Sequence, residues 1–191
     1  MSNSSNSGVM FVISAPSGTG KSTIIASVLK DLKSLKKPVS YTTRLPRLGE
    51  KDGIDYNFIS QEDFKKKLQR CDFIEWAKVY DNFYGTSLEY INKELEKGSA
   101  LIKDIDTQGA IQLKKKLGSK AVLIFIEPPS IDELESRIRK RGKDSEEVIK
   151  KRMECAKREI EEAKNYDYRV INDKVDCAIK EIKNIVNGFI K

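Results

Sequence analysis

A chain of 191 residues with 39% hydrophobic content can bury one full core, and none of its apolar runs approaches the length that spans a bilayer. Histidine is absent, which removes His-based nucleophile activation, His-ligated metal and the usual general base. The formal charge of +7 fits a polyanionic partner, nucleic acid or small phosphorylated molecules, while three isolated cysteines (Cys71, Cys155, Cys177) without CxxC spacing argue for reduced thiols rather than disulfides or zinc.

The first seven residues are small and polar, with neither a basic region nor an apolar core, and read as a frayed tail rather than a signal peptide. The expected address is the cytoplasm. Val9–Ser14 then reads as a buried strand, followed by a glycine-rich turn and a helix from Lys21 to about Lys33. Pro38–Thr43 is a less apolar strand candidate. Ala100–Ile105, Ala121–Ile126 and Tyr168–Ile171 are further strands, with helical patterns at Thr107–Lys116, Ile131–Arg141, Ser145–Lys164 and Lys174–Asn187. Strands alternating with helices imply a three-layer α/β fold around a central parallel five-stranded sheet.

Residues 44–97 break this rhythm. Strand candidates at Ile54–Ile59 and Phe73–Val79 and helices at Gln61–Gln69 and Ser87–Lys97 read as an inserted mixed α/β lobe that binds substrate. The core is then expected to comprise residues 8–43, 98–136 and 166–191. Ser130-Ile-Asp-Glu133 is a capping box that starts a helix, on which Arg137 and Arg141 share one face. From Arg137 to Arg152 eight basic residues stand against three acidic ones. Two basic helices joined at Gly142-Lys-Asp-Ser145 suit a lid over phosphates, residues 137–165.

Ala15-Pro-Ser-Gly-Thr-Gly-Lys-Ser22 carries the chemistry most openly. In a GxxxxGK[ST] loop the glycines let backbone N–H groups turn inward around phosphate oxygens, and the following helix presents its positive end. Ala15 stands where the pattern has its first glycine. Residues Ala15, Pro16, Ser17, Gly18, Thr19, Gly20, Lys21, Ser22 and Thr23 are thus expected around ATP, with Lys21 on the terminal phosphates and Ser22 on Mg²⁺. Asp104, at a strand end, occupies the place of an acid that orients the metal through water.

A phosphate loop alone serves switches, motors and kinases alike. The strings Ser40-Tyr-Thr-Thr-Arg44-Leu-Pro-Arg47-x-Gly-Glu50, Gly53-x-Asp-Tyr56-x-Phe, Phe73-Ile-Glu75-Trp-Ala, Tyr84-Gly-Thr86, Asp104-Ile-Asp106-x-Gln-Gly, Pro128-Pro-Ser and Asn172-Asp, in this order and spacing, resemble the guanylate kinases from about Val9 to the C-terminus. That resemblance implies transfer of the ATP γ-phosphoryl group to GMP, and to dGMP. It places Arg44, Arg47, Tyr56 and Tyr84 on the GMP phosphate, and Ser40, Glu75, Thr86 and Asp106 around guanine. It makes Lys21, Arg44, Arg137, Arg141 and Arg152 the catalytic cations and sets Arg137, Arg141 and Asn172 on the ATP side. The implied partners are the small molecules ATP and GMP, with neither nucleic acid nor membrane.

The chemistry is sound on its own terms. Paired arginines grip a dianion through charge-assisted bonds, and a carboxylate accepts the paired donors of guanine that adenine lacks. Two rivals fit less well. A GTP switch would carry an NKxD element, and the nearest string is Asn92-Lys-Glu-Leu; a non-catalytic phosphopeptide module would typically have lost Lys21, Ser22 and Asp104.

Overall fold

The computed structural model describes residues 8–79, 81–140, 142 and 144–190; the expected tail, Met1–Ser7, lies outside these residues. Every residue of β1 (Val9–Ser14) is buried. A strand apolar on both faces belongs in the middle layer of a sandwich. Its parallel neighbours are β7 (Ala100–Asp104) and β8 (Ala121–Glu127). With β2 (Leu35–Lys36) and β9 (Tyr168–Ile171) they make a five-stranded parallel sheet in the order β2-β7-β1-β8-β9.

Side-chain alternation along β1 sorts the core into two halves. Val9, Phe11 and Ile13 pack with Ile24 and Val28 of α1 (Lys21–Asp31) and with Ala178, Ile182 and Val186 of α7 (Val175–Asn187). Met10 and Val12 face the other way, onto Ile91 and Leu95 of α3 (Leu88–Glu96) and Ala110 and Leu113 of α4 (Thr107–Leu117). The three expected layers are all present.

Two strand expectations need correction. The fifth strand of the central sheet is Leu35–Lys36, not Pro38–Thr43. Leu35 supplies the buried side chain and pairs with Ala100, whereas Pro38 has no N–H to give a ladder. Tyr41–Thr42 instead forms β3 of a second, mixed sheet. The expected strand Ile54–Ile59 shrinks to β4 (Asn57–Phe58), because a turn with Gly53 at φ +73° and a Gly53 N–H to Tyr56 C=O bond of 2.8 Å occupies its start.

The second sheet runs β4-β3-β6-β5, with β5 at Phe73–Val79 and β6 at Asn82–Ser87. α2 (Gln61–Gln69) covers it through one fully buried residue, Phe64, stacked on Phe73 at 4.5 Å and Phe83 at 5.3 Å between ring centroids. Ile74 at the base of β5 joins the central core, so the lobe is tied to the main sheet there and through α3. Separately, α5 (Ile131–Lys140) and α6 (Glu146–Glu162) share a small core of Leu134, Ile138, Ile149, Met153 and Ala156. The Glu133 N–H donates to Ser130 Oγ at 3.0 Å, as the capping box requires.

Candidate active site

The loop between β1 and α1 lies at the carboxyl end of the central strand. Asp104 ends the neighbouring strand β7, in register with Ile13. Gly18 and Gly20 have φ of +101° and +95°, conformations that bend the backbone inward and that a side chain would strain. No side chain caps α1, so its first N–H groups are left for a ligand. A cleft of about 430 Å³ opens here, lined by Ala15–Gly18 and Gly20–Thr23 together with Asp104, Asp106 and Glu159.

The loop is braced from behind. Asn172 is 1% exposed, and its Nδ2 donates to the Thr19 carbonyl at 2.5 Å. A Cβ on Gly20 would come within 3.0 Å of that same nitrogen. Asn172, expected on the ATP side, thus holds the phosphate loop in shape with its amide. On another side, a Cβ on Gly18 would meet Ile138 and Leu134 of α5 at 3.0 and 3.3 Å, so the helical pair begins directly against the loop.

Across the cleft the mixed sheet presents a buried polar pocket. A register shift between Phe73 and Glu75 sets Glu75 opposite Thr86, and the Thr86 hydroxyl donates to Glu75 Oε1. Thr86 is fully buried and Glu75 is 7% exposed. Burial pushes the Glu75 carboxyl above its usual range, and the Lys103 ammonium is the chief influence opposing that. A Cβ on Gly109 would meet the Ile105 side chain at 2.5 Å, so glycine is needed there, and Glu75 Oε2 lies 3.5 Å from the same point, which brings α4 into contact with the carboxylate. Asp106 caps α4, accepting from the Gly109 N–H at 2.7 Å, and also faces the cleft. A second cleft of about 720 Å³, running past Trp76, Gly109 and Arg158, shares Asp106 and Glu159 with the first. Asp106, which lines the phosphate-loop cleft, also bears electrostatically on Glu75, so the buried pocket lies beside that cleft.

Arg44 lies on the lobe, in the segment that follows β3. Its Nη2 pairs with Glu50 Oε1 at 2.8 Å, its Nη1 donates to the Leu45 carbonyl at 2.7 Å, and its guanidinium stands 5.4 Å from the Tyr56 ring centre. Tyr56 and Tyr84 meet edge to face at 6.0 Å. Glu50 also accepts from the Arg47 backbone N–H at 2.7 Å, and Arg44 holds its carboxyl below the ordinary range. Arg44, Tyr56 and Tyr84 thus converge, with Arg47 exposed at the rim.

The helical pair contributes less directly. Arg137 is bonded to Glu133 at 2.9 Å and to the Asn172 carbonyl at 3.2 Å, and Arg152 pairs with Asp144 at 3.2 Å. Neither lines the phosphate-loop cleft. Arg141 lies outside the described residues.

Three residues escaped the sequence reading. Glu50 closes the motif that begins at Ser40 but was given no role there; it orients Arg44. Glu159 of α6 faces the phosphate loop, and burial pushes its carboxyl up to about 6 against the pull of Lys21. Lys103, 5% exposed near the end of β7, donates to Ser40 Oγ, and burial brings its ammonium down to about 8 against the pull of Glu75. Its signal was present: a lone lysine inside the apolar run Ala100–Ile105.

Comparison with known proteins gives one answer throughout. A family model described as guanylate kinase matches residues 7–188. The guanylate kinase of Caldanaerobacter subterraneus subsp. tengcongensis is 48% identical over 179 residues, covering 94% of this chain and 86% of that protein. That of Protochlamydia amoebophila is 45% identical, covering 94% and 90%. The crystal structure of guanylate kinase from Anaplasma phagocytophilum superposes with a TM-score of 0.76 at 32% identity, covering 97% of this chain and 88% of that one.

Proposed function

The chain belongs to the guanylate kinase family and transfers the ATP γ-phosphoryl group to GMP; we propose that the phosphate loop holds ATP, the mixed-sheet lobe holds GMP, and the helical pair closes over both. The position of Asp106, on the phosphate-loop cleft and within electrostatic reach of the buried Glu75–Thr86 pair, supports this division of labour.

At the donor end, the loop N–H groups and the uncapped N-terminus of α1 receive phosphate oxygens, and Lys21 neutralises the terminal phosphates. Enzymes of this class generally need a divalent metal with ATP. The Ser22 hydroxyl and Asp104 carboxylate are hard oxygen donors on one cleft, and the described residues contain no cluster of three acidic or thiol groups able to hold a metal alone. That donor set fits Mg²⁺ arriving with the nucleotide and keeping most of its waters. When bound, the ion would supply neutralisation of the phosphate charge of ATP.

At the acceptor end, Arg44, Arg47, Tyr56 and Tyr84 hold the GMP phosphate. Glu75, steadied by Thr86, accepts from the N1–H and exocyclic amine of guanine. Ser40 and Asp106 complete the base pocket. The nucleophile is a phosphate oxygen whose second pKa is about 6, so it is already anionic at neutral pH and a chain without histidine needs no base. Rate then comes from alignment, charge neutralisation and exclusion of water. On closure Arg137 and Arg152 exchange Glu133 and Asp144 for the transferring phosphoryl group. The same pocket accepts dGMP, because none of these contacts needs a ribose hydroxyl. We assign the reaction to the cytoplasm, the address read from the sequence; no described helix is long and apolar enough to span a membrane.

The test is coupled ADP release with ATP and Mg²⁺, comparing GMP, dGMP, AMP, UMP and no acceptor, in the parent chain and in Glu75→Gln. GMP-dependent turnover whose base preference collapses in the variant supports the site. Acceptor-independent turnover would point to an ATPase, and phosphopeptide binding without turnover to a docking module.

A further inference from the structure

We propose that Lys103 is a positioning residue for base recognition: its ammonium fixes the Ser40 hydroxyl as an obligate hydrogen-bond donor toward the O6 edge of the purine. The inference rests on the reading of Ser40 and Glu75 as the guanine pocket.

The argument starts from a buried cation. Lys103 is 5% exposed near the end of β7, after the buried Ala100, Leu101 and Ile102 and before the exposed Asp104 that ends the strand. Placing an ammonium there is costly unless its donors are used. One donor goes to Ser40 Oγ. An ammonium has three donors and no acceptor, so it can satisfy only the lone pairs of that hydroxyl. The Ser40 hydrogen is therefore turned away from Lys103. Among the described hydrogen bonds it has no acceptor, and Ser40 is only half-buried. The hydroxyl is left as a polarised donor, strengthened by the charge behind it.

Guanine offers an acceptor at O6 and donors at N1 and the exocyclic amine. Adenine reverses the first two, with a donor at its 6-position and an acceptor at N1. Glu75, acceptor only when ionised, reads the donor side of guanine. The Lys103–Ser40 pair reads the acceptor side. Each element alone leaves a mismatched base one unpaired buried group; together they leave two. Lys103 also places a positive charge behind the pocket that Glu75 makes negative, so the two readers stabilise one another when the site is empty.

The experiment compares the parent chain with Lys103→Met, which keeps the length of the side chain and removes its charge. Acceptors are GMP, IMP and 6-thio-GMP; the last keeps the N1–H and amine but replaces O6 with a weak sulfur acceptor. The expected loss in kcat/KM is about tenfold to a hundredfold for GMP, the range of a hydrogen bond to a charged network. It should fall mainly on KM, appear undiminished with IMP, and shrink below about threefold with 6-thio-GMP, whose acceptor is already poor. KM for ATP should stay within about twofold, since the phosphate loop is untouched. Ser40→Ala should produce the same substrate pattern, and adding Lys103→Met to it should cost little more.

A loss equal for all three acceptors, or one shared by ATP, would mean a merely structural role and overturn the proposal, as would no loss for GMP. Glu75→Gln separates the two levels of inference. If that variant keeps full preference for GMP over AMP, the pocket assignment itself fails; if it loses the preference while Lys103→Met changes nothing, only the role of Lys103 falls.

Discussion

Replacing Phe64 by alanine should separate the acceptor lobe from the rest of the enzyme. Phe64 is the only buried residue of α2, and its ring is sandwiched between Phe73 and Phe83. Gly85 makes room for this stack, since a Cβ there would lie 2.9 Å from Phe73 and 3.1 Å from Phe64. Deleting the ring loses its transfer free energy and both aromatic contacts, and leaves a cavity that α2 has no second buried side chain to fill. The expected cost is about 3–5 kcal/mol. Urea unfolding of the parent chain and of Phe64→Ala, followed by tryptophan fluorescence, measures it; Trp76 lies 6.1 Å from Phe83 and is the sole tryptophan. Because the stack supports the sheet that carries Tyr84, Thr86 and Glu75, KM for GMP should rise about tenfold or more while KM for ATP holds within about twofold. A stability loss under about 1.5 kcal/mol, or an equal rise in both KM values, would refute the reasoning.

Two further outcomes are expected. Cys71 follows α2 with φ of +57°, a left-handed position where a Cβ is strained, so Cys71→Gly should stabilise the protein by about 0.5–1 kcal/mol in thermal unfolding. Glu94 of α3 accepts from Lys36 at 2.5 Å, Lys97 at 2.6 Å and Ser99 at 2.9 Å, which draws its carboxyl down to about 2. A depressed carboxylate stabilises above its ordinary value and loses that contribution as pH falls, so Glu94→Gln should flatten the stability curve between pH 4.5 and 2 and leave its slope near neutrality unchanged.

The phosphate loop was legible in the sequence because its function demands glycine where φ is positive and a lysine one residue further on; Gly18, Gly20 and Lys21 stand where the spacing put them. The buried strands were legible because β1 and β8 are apolar on both faces. The short strands were not. Leu35–Lys36 and Asn57–Phe58 are two residues each, held by partners distant in sequence, and no periodicity exists over such a span. Nor does sequence order reveal that Lys103 touches Ser40, 63 residues away, or that Glu159 faces Lys21. Those contacts come from topology. Asn172 shows the limit from the other side: its motif placed it near ATP, while its amide turns inward to the loop's own backbone.

That inward contact bears on when during synthesis the enzyme becomes competent. Thr19 and Asn172 are 153 residues apart, and Asn172 directly follows the last strand of the sheet. A nascent chain acquires Lys21 early, and the Thr19 N–H can reach the Pro16 carbonyl within the loop, yet the Thr19 carbonyl lacks its Asn172 partner until about nine tenths of the polypeptide has been made. At about 5–20 residues per second that interval lasts many seconds. Through it the chain holds the sequence of a nucleotide cradle without its shape, and chains cut short before Asn172 should fail to retain ATP.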